Sequence, residues 1–318
     1  MDREERLRRR EEARLRVVRH RRIVAAAVLG IAVVGIALAG TALMGGGGAA
    51  EKAVAEEREL PRGGTQILPR NRVVAFYGAP QDEELGELGI GKPSEMAKRL
   101  DRQARPYRKG GKPVLPAFEL IAVVANDSAG THGRYSTRQD PKTISRYLRA
   151  ARRHKALLVL DIQPGRSDFM AEAKVLRRFV EQPDVSLALD PEWKMGPDGV
   201  PGQEIGSTTA ADVNAVARWM SRIVKDKGLP QKLLVVHRFT RDMIRNERAL
   251  KKYPGVALTI NVDGFGTQAQ KIAKFKEFTR DFEARLNGFK LFYREDTNLM
   301  RPRQVLRLKP RPDLVVYE

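Results

Sequence analysis

Residues 185–193 read VSLALDPEW, an apolar run of strand length that stops at Asp190-Pro191-Glu192-Trp193. On an extended chain Asp190 and Glu192 lie two apart and point to the same side. The rise of a strand then sets their backbones roughly 6.6 Å apart. Two carboxyl groups and an indole at the end of a buried strand suit glycoside chemistry. In such chemistry one carboxyl group protonates the glycosidic oxygen, which needs a partly dry site, and a second orients it or acts as nucleophile. A nucleophilic Asp190 calls for carboxyl groups about 5–5.5 Å apart. A water-activating partner calls for roughly 6.5–9.5 Å, and Asp161 and Asp263 are the candidates for that role.

These residues need a frame. Eight apolar runs rich in Val, Leu, Ile and Phe read as buried strands: 73–78, 114–125, 156–162, 185–190, 232–239, 256–265, 289–294 and 313–318. Amphipathic segments separate them. Ile144, Tyr147, Leu148 and Ala151 share one helical face; so do Phe169, Ala173, Leu176 and Val180; so do Val213, Val216, Met220 and Ile223; so do Phe275, Phe278, Phe282 and Leu286. Residues 93–105, 240–252 and 297–307 are weaker helix candidates. This alternation predicts an α/β fold, a (β/α)8 TIM-type barrel. A doubly wound open sheet has the same periodicity and stays open at this point. No GxGxxG follows the first run, so a dinucleotide site has no support.

In such a barrel the active site lies at the carboxyl ends of the strands. Polar side chains gather there: Tyr77, Glu119, Asp161 and Gln163, Asp190 with Glu192 and Trp193, His237, Asn261 and Asp263, and Tyr293. Taken singly, Asp168 or Asp263 reads as a cap, His237 as a satisfied polar group and Trp193 as packing. Six or seven strand ends carrying such groups together mark a site. Catalysis is therefore assigned to Glu192 and Asp190. Substrate binding falls to Tyr77, Glu119, Asp161, Gln163, Trp193, His237, Asp263 and Tyr293, with the three aromatics stacking on sugar faces.

At LDPEW the chain resembles (β/α)8 glycoside hydrolases with an Asp-x-Glu at the end of strand four, the chitinase-like and Chalaropsis-type lysozyme-like enzymes. The resemblance implies Glu192 as acid and Asp190 as its assistant. Chitinase-like enzymes carry further Asp residues upstream in that strand, where this chain has Ala188 and Val185. Region 70–318 also resembles uncharacterised membrane-anchored proteins of actinobacteria.

Composition sets the remaining bounds. There is no cysteine, which excludes disulfides, thiolate metal sites and a Cys nucleophile. The formal charge of +20 favours an anionic partner. Residues 1–22 carry ten Arg and five acidic residues, and Ile23 to Met44 is a run without charge. As a helix that run spans roughly 33 Å, enough for a bilayer core. The expected organisation is a cytoplasmic basic segment (1–22), a transmembrane signal-anchor (23–44), a linker (45–70) and an extracytoplasmic barrel (71–318). Cleavage near Ala49 and Ala50 is the alternative. The anchor argues against a nucleic-acid partner and for a wall glycan or other polysaccharide. The leading reading uses no cofactor and no metal. Its rivals are a glycan-binding barrel without turnover and a hydrolase holding Mg²⁺ or Ca²⁺ through Glu119, Asp161, Glu192, His237 and Asp263. With four His and neither HxH nor HExxH, a His-rich zinc site is not expected.

Overall fold

The computed structural model describes residues 59–80, 82–130, 132–280 and 286–318. The basic segment 1–22, the anchor expected at 23–44 and most of the linker lie outside them. Among the described residues no helix is long and apolar enough to cross a membrane.

Eight strands form at the eight apolar runs. They are β1 (Arg72–Gly78), β2 (Val114–Ala125), β3 (Leu157–Ile162) and β4 (Val185–Leu189). The second half supplies β5 (Lys232–Arg238), β6 (Val256–Val262), β7 (Leu286–Leu291) and β8 (Leu314–Tyr317). Each pairs in parallel with its neighbour in chain order. β8 then pairs in parallel with β1, so Val73 has Leu115 on one side and Leu314 on the other. That closure rules out the open doubly wound sheet.

The helices cover the outside. α1 (Pro93–Ala104) and α2 (Pro141–Arg153) follow β1 and β2. α3 (Phe169–Val175) follows β3, capped by Asp168, whose side chain accepts from the Ala171 N–H. Leu176 breaks it with φ −82 and ψ 0, and one more turn, Arg177–Val180, completes the connection. α4 (Ala210–Lys227) opens on a capping box between Thr209 and Asp212 and ends at left-handed Gly228. α5 (Gln268–Thr279) is shorter than the pattern predicts: Leu286, expected on its apolar face, starts β7, and Phe282 lies outside the described residues. The helix expected over 240–252 is absent. Met243 and Ile244 are buried side by side rather than at helical spacing, and Asn246 is left-handed at φ +55, so the segment forms a two-residue strand, Ile244–Arg245, paired in parallel with Thr208–Thr209, and a 3-10 turn at Glu247–Ala249. The segment at 297–307 gives a single turn, α6 (Pro302–Val305).

Two apolar cores follow from strand alternation. Outward residues such as Phe76, Phe118, Leu160, Leu187, Val236 and Phe289 pack against the helices. Inward residues such as Val73, Ala75, Ala117, Val159, Ala188, Val235 and Val316 fill the lumen. The lower end is closed by Leu60, Ile67 and Leu68. Gln231, just before β5, holds this plug: its Oε1 accepts from the Ile67 and Leu68 N–H groups, each at 2.8 Å. The plug belongs to the segment read as linker, so residues 59–70 are folded against the barrel floor.

Candidate active site at the barrel mouth

Above the apolar lumen layers, the inward alternation brings polar side chains to the carboxyl ends. β1 contributes Tyr77, β2 Glu119 and β3 Asp161, with Gln163 just beyond it. Asp190 follows β4, β5 contributes His237, β6 contributes Asn261 with Asp263 just after, and β7 contributes Lys290. Glu318 follows β8. Register fixes neighbours: Tyr77 lies opposite Glu119, and His237 opposite Asn261.

His237 is the hub, at 1% exposure. Its Nδ1 lies 2.8 Å from Asp263 Oδ2 and its Nε2 lies 2.9 Å from Glu119 Oε1. Asp263 Oδ1 also accepts the Gly264 N–H at 2.6 Å, and its Oδ2 lies 3.1 Å from Lys290 Nζ. Lys290 Nζ reaches Glu318 Oε2 at 2.7 Å and sits 3.8 Å over the Tyr77 ring. On the other side, the Tyr77 hydroxyl donates to Asp161 Oδ2 at 3.1 Å and accepts from Gln163 Nε2 at 2.9 Å. The result is one connected network spanning the mouth.

Its electrostatics divide the carboxyl groups. Burial would raise Asp263, but Lys290, His237 and the Gly264 N–H outweigh it and hold it well below the carboxylate range. Burial works against charge on His237 too, yet the bonds to Asp263 and Glu119 keep its pKa well above the ordinary imidazole value. Lys290 likewise stays charged because Asp263, Glu318 and Asp190 overcome its desolvation. For Asp161, burial dominates and pushes it up to about 6, with Glu119 adding to the rise. Asp190 is raised well above the usual range, mainly by burial and then by Asp161 and Glu192. The mouth thus pairs two carboxyl groups inclined to hold a proton with one firmly ionised, the arrangement acid–base chemistry uses.

The LDPEW turn differs from the extended chain expected of it. β4 stops at Leu189, and Pro191–Trp193 is a 3-10 turn with proline at its first position, where fixed φ suits it. The Trp193 N–H donates to the Asp190 carbonyl at 3.2 Å. The equal-facing geometry and its roughly 6.6 Å spacing therefore do not apply. Glu192 is half-buried within this turn, in electrostatic reach of Asp190. Trp193 is 8% exposed, and its carbonyl accepts from the Gly165 N–H at 3.0 Å.

The remaining site candidates separate. Tyr77, Glu119, Asp161, Gln163, Asp190, His237 and Asp263 come together at the mouth. Tyr77 is buried and its ring face is covered by Lys290, so it shapes the network rather than offering a stacking surface. Tyr293 lies on the opposite, helix-facing side, stacked on Tyr317 at 5.2 Å and edge-on to Phe76 at 6.4 Å. Sequence reasoning missed Lys290 and Glu318. The signal for Lys290 was a lone cation inside an apolar run, GFKLF, on the residue parity that faces the lumen.

Fold and site together define a closed parallel (β/α)8-type barrel with a buried carboxyl–imidazole–ammonium network at its mouth. Comparison with solved structures returns distant likenesses. A spore coat polysaccharide biosynthesis protein, spsE, of Bacillus subtilis is 9% identical, with a TM-score of 0.44 over 79% of this chain and 62% of that one. A GH138 enzyme targeting pectin rhamnogalacturonan II is 12% identical, with a TM-score of 0.40 over 78% of this chain and 34% of that one. Oxaloacetate acetylhydrolase, solved with 3,3-difluorooxalacetate, is 10% identical, with a TM-score of 0.30 over 77% and 67%. The chain therefore spans under two thirds of the length of the first two. No protein-family model and no curated protein matches it.

Proposed function

We propose that this protein acts on a glycan bound across the barrel mouth, as a glycoside hydrolase-like protein with Glu192 as acid. The observation that carries the reading is Asp190. It is 4% exposed and inclined to keep its proton, chiefly by burial and then through Asp161 and Glu192 nearby. A protonated Asp190 can donate a hydrogen bond to Glu192 or to a substrate amide, the assisting role that the Asp-x-Glu resemblance implies. Glu192, half-buried just beyond β4, would meet a glycosidic oxygen arriving from solvent. Of the two carboxyl groups considered for activating water, Asp263 is committed to His237, Lys290 and Gly264. Asp161, whose Oδ1 has no hydrogen-bond partner, is the one left. Residues 23–44 would hold this barrel outside the cytoplasm, facing wall or extracellular polysaccharide.

The test is release of reducing ends from wall glycans and soluble polysaccharides by the full-length protein in detergent. Glu192→Gln should lower the rate by about 10²–10⁴-fold, the usual weight of a general acid, with glycan binding retained. Equal rates for the two proteins would remove Glu192 as the acid. Binding without turnover is the second reading, favoured by Ala188 and Val185. They are apolar and fully buried where chitinase-like enzymes carry Asp. Wild-type protein that binds glycan and releases no reducing ends decides for it.

A further inference from the structure

We infer that Glu119, Asp161 and His237 form a binding site for one divalent first-row metal ion at the floor of the barrel mouth. One donor atom from each lies within 4.8 Å of the others. An ion held at about 2.0–2.2 Å from each donor needs them about 3–4 Å apart, a change within reach of small side-chain rotations.

Three independent features point to a cation there. The first is unsatisfied oxygen. Glu119 and Asp161 are both at 0% exposure, and Glu119 Oε2 and Asp161 Oδ1 have no hydrogen-bond partner. Buried acceptors of charged groups are seldom left so, and one ion between them satisfies both. The second is the orientation of His237. Asp263, bonded also to Gly264 and Lys290, is the acceptor for Nδ1–H. In the neutral ring, Nε2 is then a lone pair facing the Glu119 carboxylate at 2.9 Å, acceptor against acceptor. Without an ion a proton fills that side, and a metal ion would take its place on Nε2. The third is composition: five carboxyl groups, Glu119, Asp161, Asp190, Asp263 and Glu318, surround one imidazole and one ammonium, and all but Glu318, whose side chain is 11% exposed, are buried.

The chemistry of the donors narrows the ion. Two carboxylates and an imidazole suit Mn²⁺ or Zn²⁺ better than Ca²⁺, which takes oxygen ligands. Asp263 is not a ligand in this arrangement. It orients the imidazole from behind, the carboxylate–histidine–metal relay seen at many metal centres. Glu192 is likewise outside the donor set. An ion here would take over the open oxygen of Asp161 and supply an acidified water at the floor of the mouth.

Binding is read without any substrate, so the result is independent of the glycan reading. Full-length protein is stripped with chelator and titrated with Mn²⁺ alone, free ion being followed by electron paramagnetic resonance. We expect one Mn²⁺ per chain, competition by Zn²⁺, and selective paramagnetic broadening of the His237 imidazole signals over those of His132 and His154. Glu119→Gln and Asp161→Asn should each weaken binding at least about 10-fold. Asp263→Asn, acting through His237, should weaken it about 10–100-fold. A wild-type protein that binds neither ion, or an ion that leaves His237 unbroadened, overturns the site; so do folded Glu119→Gln and Asp161→Asn variants that bind as the wild type does. In any of these cases the imidazolium alone bridges the carboxylates.

Discussion

Lys290→Met tests the network where its charges are most tightly held. The substitution keeps an unbranched apolar stem, with sulfur for one methylene, and removes the terminal ammonium. Lys290 is 3% exposed, within 3.1 Å of Asp263 and 2.7 Å of Glu318. Removing one partner of a buried pair costs about 3–5 kcal/mol, because the other charge is left without solvent. Two features lower that figure: the Glu318 side chain is 11% exposed, and Asp263 keeps His237 and Gly264. One raises it: the ammonium over Tyr77 is a desolvated cation–π contact, worth up to about 2 kcal/mol. The expected net loss is about 3–5 kcal/mol. The assay is guanidinium unfolding at pH 7, followed by the fluorescence of Trp193 and Trp219. Glu318→Gln removes one of the charges Lys290 neutralises. In the Lys290→Met background it should therefore cost less than in the wild type, with a coupling of about 1–3 kcal/mol. A Lys290→Met loss below about 1 kcal/mol, or strictly additive variants, would refute the claim that these charges stabilise one another.

Other outcomes follow from the same structure. Lys232, the fully buried first residue of β5, donates to the Gln182 carbonyl and, at 2.9 Å, to that of Val185; burial lowers it to about 7. Between about pH 7 and 10.5 the unfolded chain then binds more protons, so stability rises with pH across that window. The difference between wild type and Lys232→Met should shift by at most about 5 kcal/mol from pH 6.5 to 10, at 1.36 kcal/mol per unit. Parallel pH curves would contradict it. Tyr77→Phe strands the Gln163 amide and one Asp161 oxygen and should cost about 1–3 kcal/mol by thermal unfolding. Gly165→Ala should be more damaging than a surface Gly→Ala, by a lowered melting temperature. Gly165 is left-handed at φ +62, and a Cβ there would fall 2.6 Å from the Tyr135 carbonyl oxygen.

The barrel was legible because its strands are buried on both faces. Runs such as RVVAFYG and VALTINV serve the lumen and the helix layer at once, so they stand out as continuous apolar stretches. Legibility fell where a residue's role is tertiary. β7 begins three residues before its apolar run, at Leu286–Asn287–Gly288, because Gly288 lets that strand close on Asn261. A Cβ there would meet Asn261 Oδ1 at 2.6 Å. In sequence those residues looked like a helix terminus. Lys290 was passed over for a related reason: alone it resembles a solvated lysine, and only barrel closure supplies Glu318 and Asp263 as partners. At LDPEW, proline at the head of the turn was the warning that an extended chain would not continue past Asp190. The polar strand ends were readable as a set; which of them form one network required the register.

Glycan is proposed to bind at the mouth, over Asp190 and Glu192. A crystal structure of the protein soaked with wall oligosaccharides tests it most directly. A sugar is expected within hydrogen-bond distance of the Glu192 carboxyl, its glycosidic oxygen facing that group, above the His237 network. Sugar bound elsewhere on the barrel, with the mouth filled by solvent alone, would contradict it whatever the affinity.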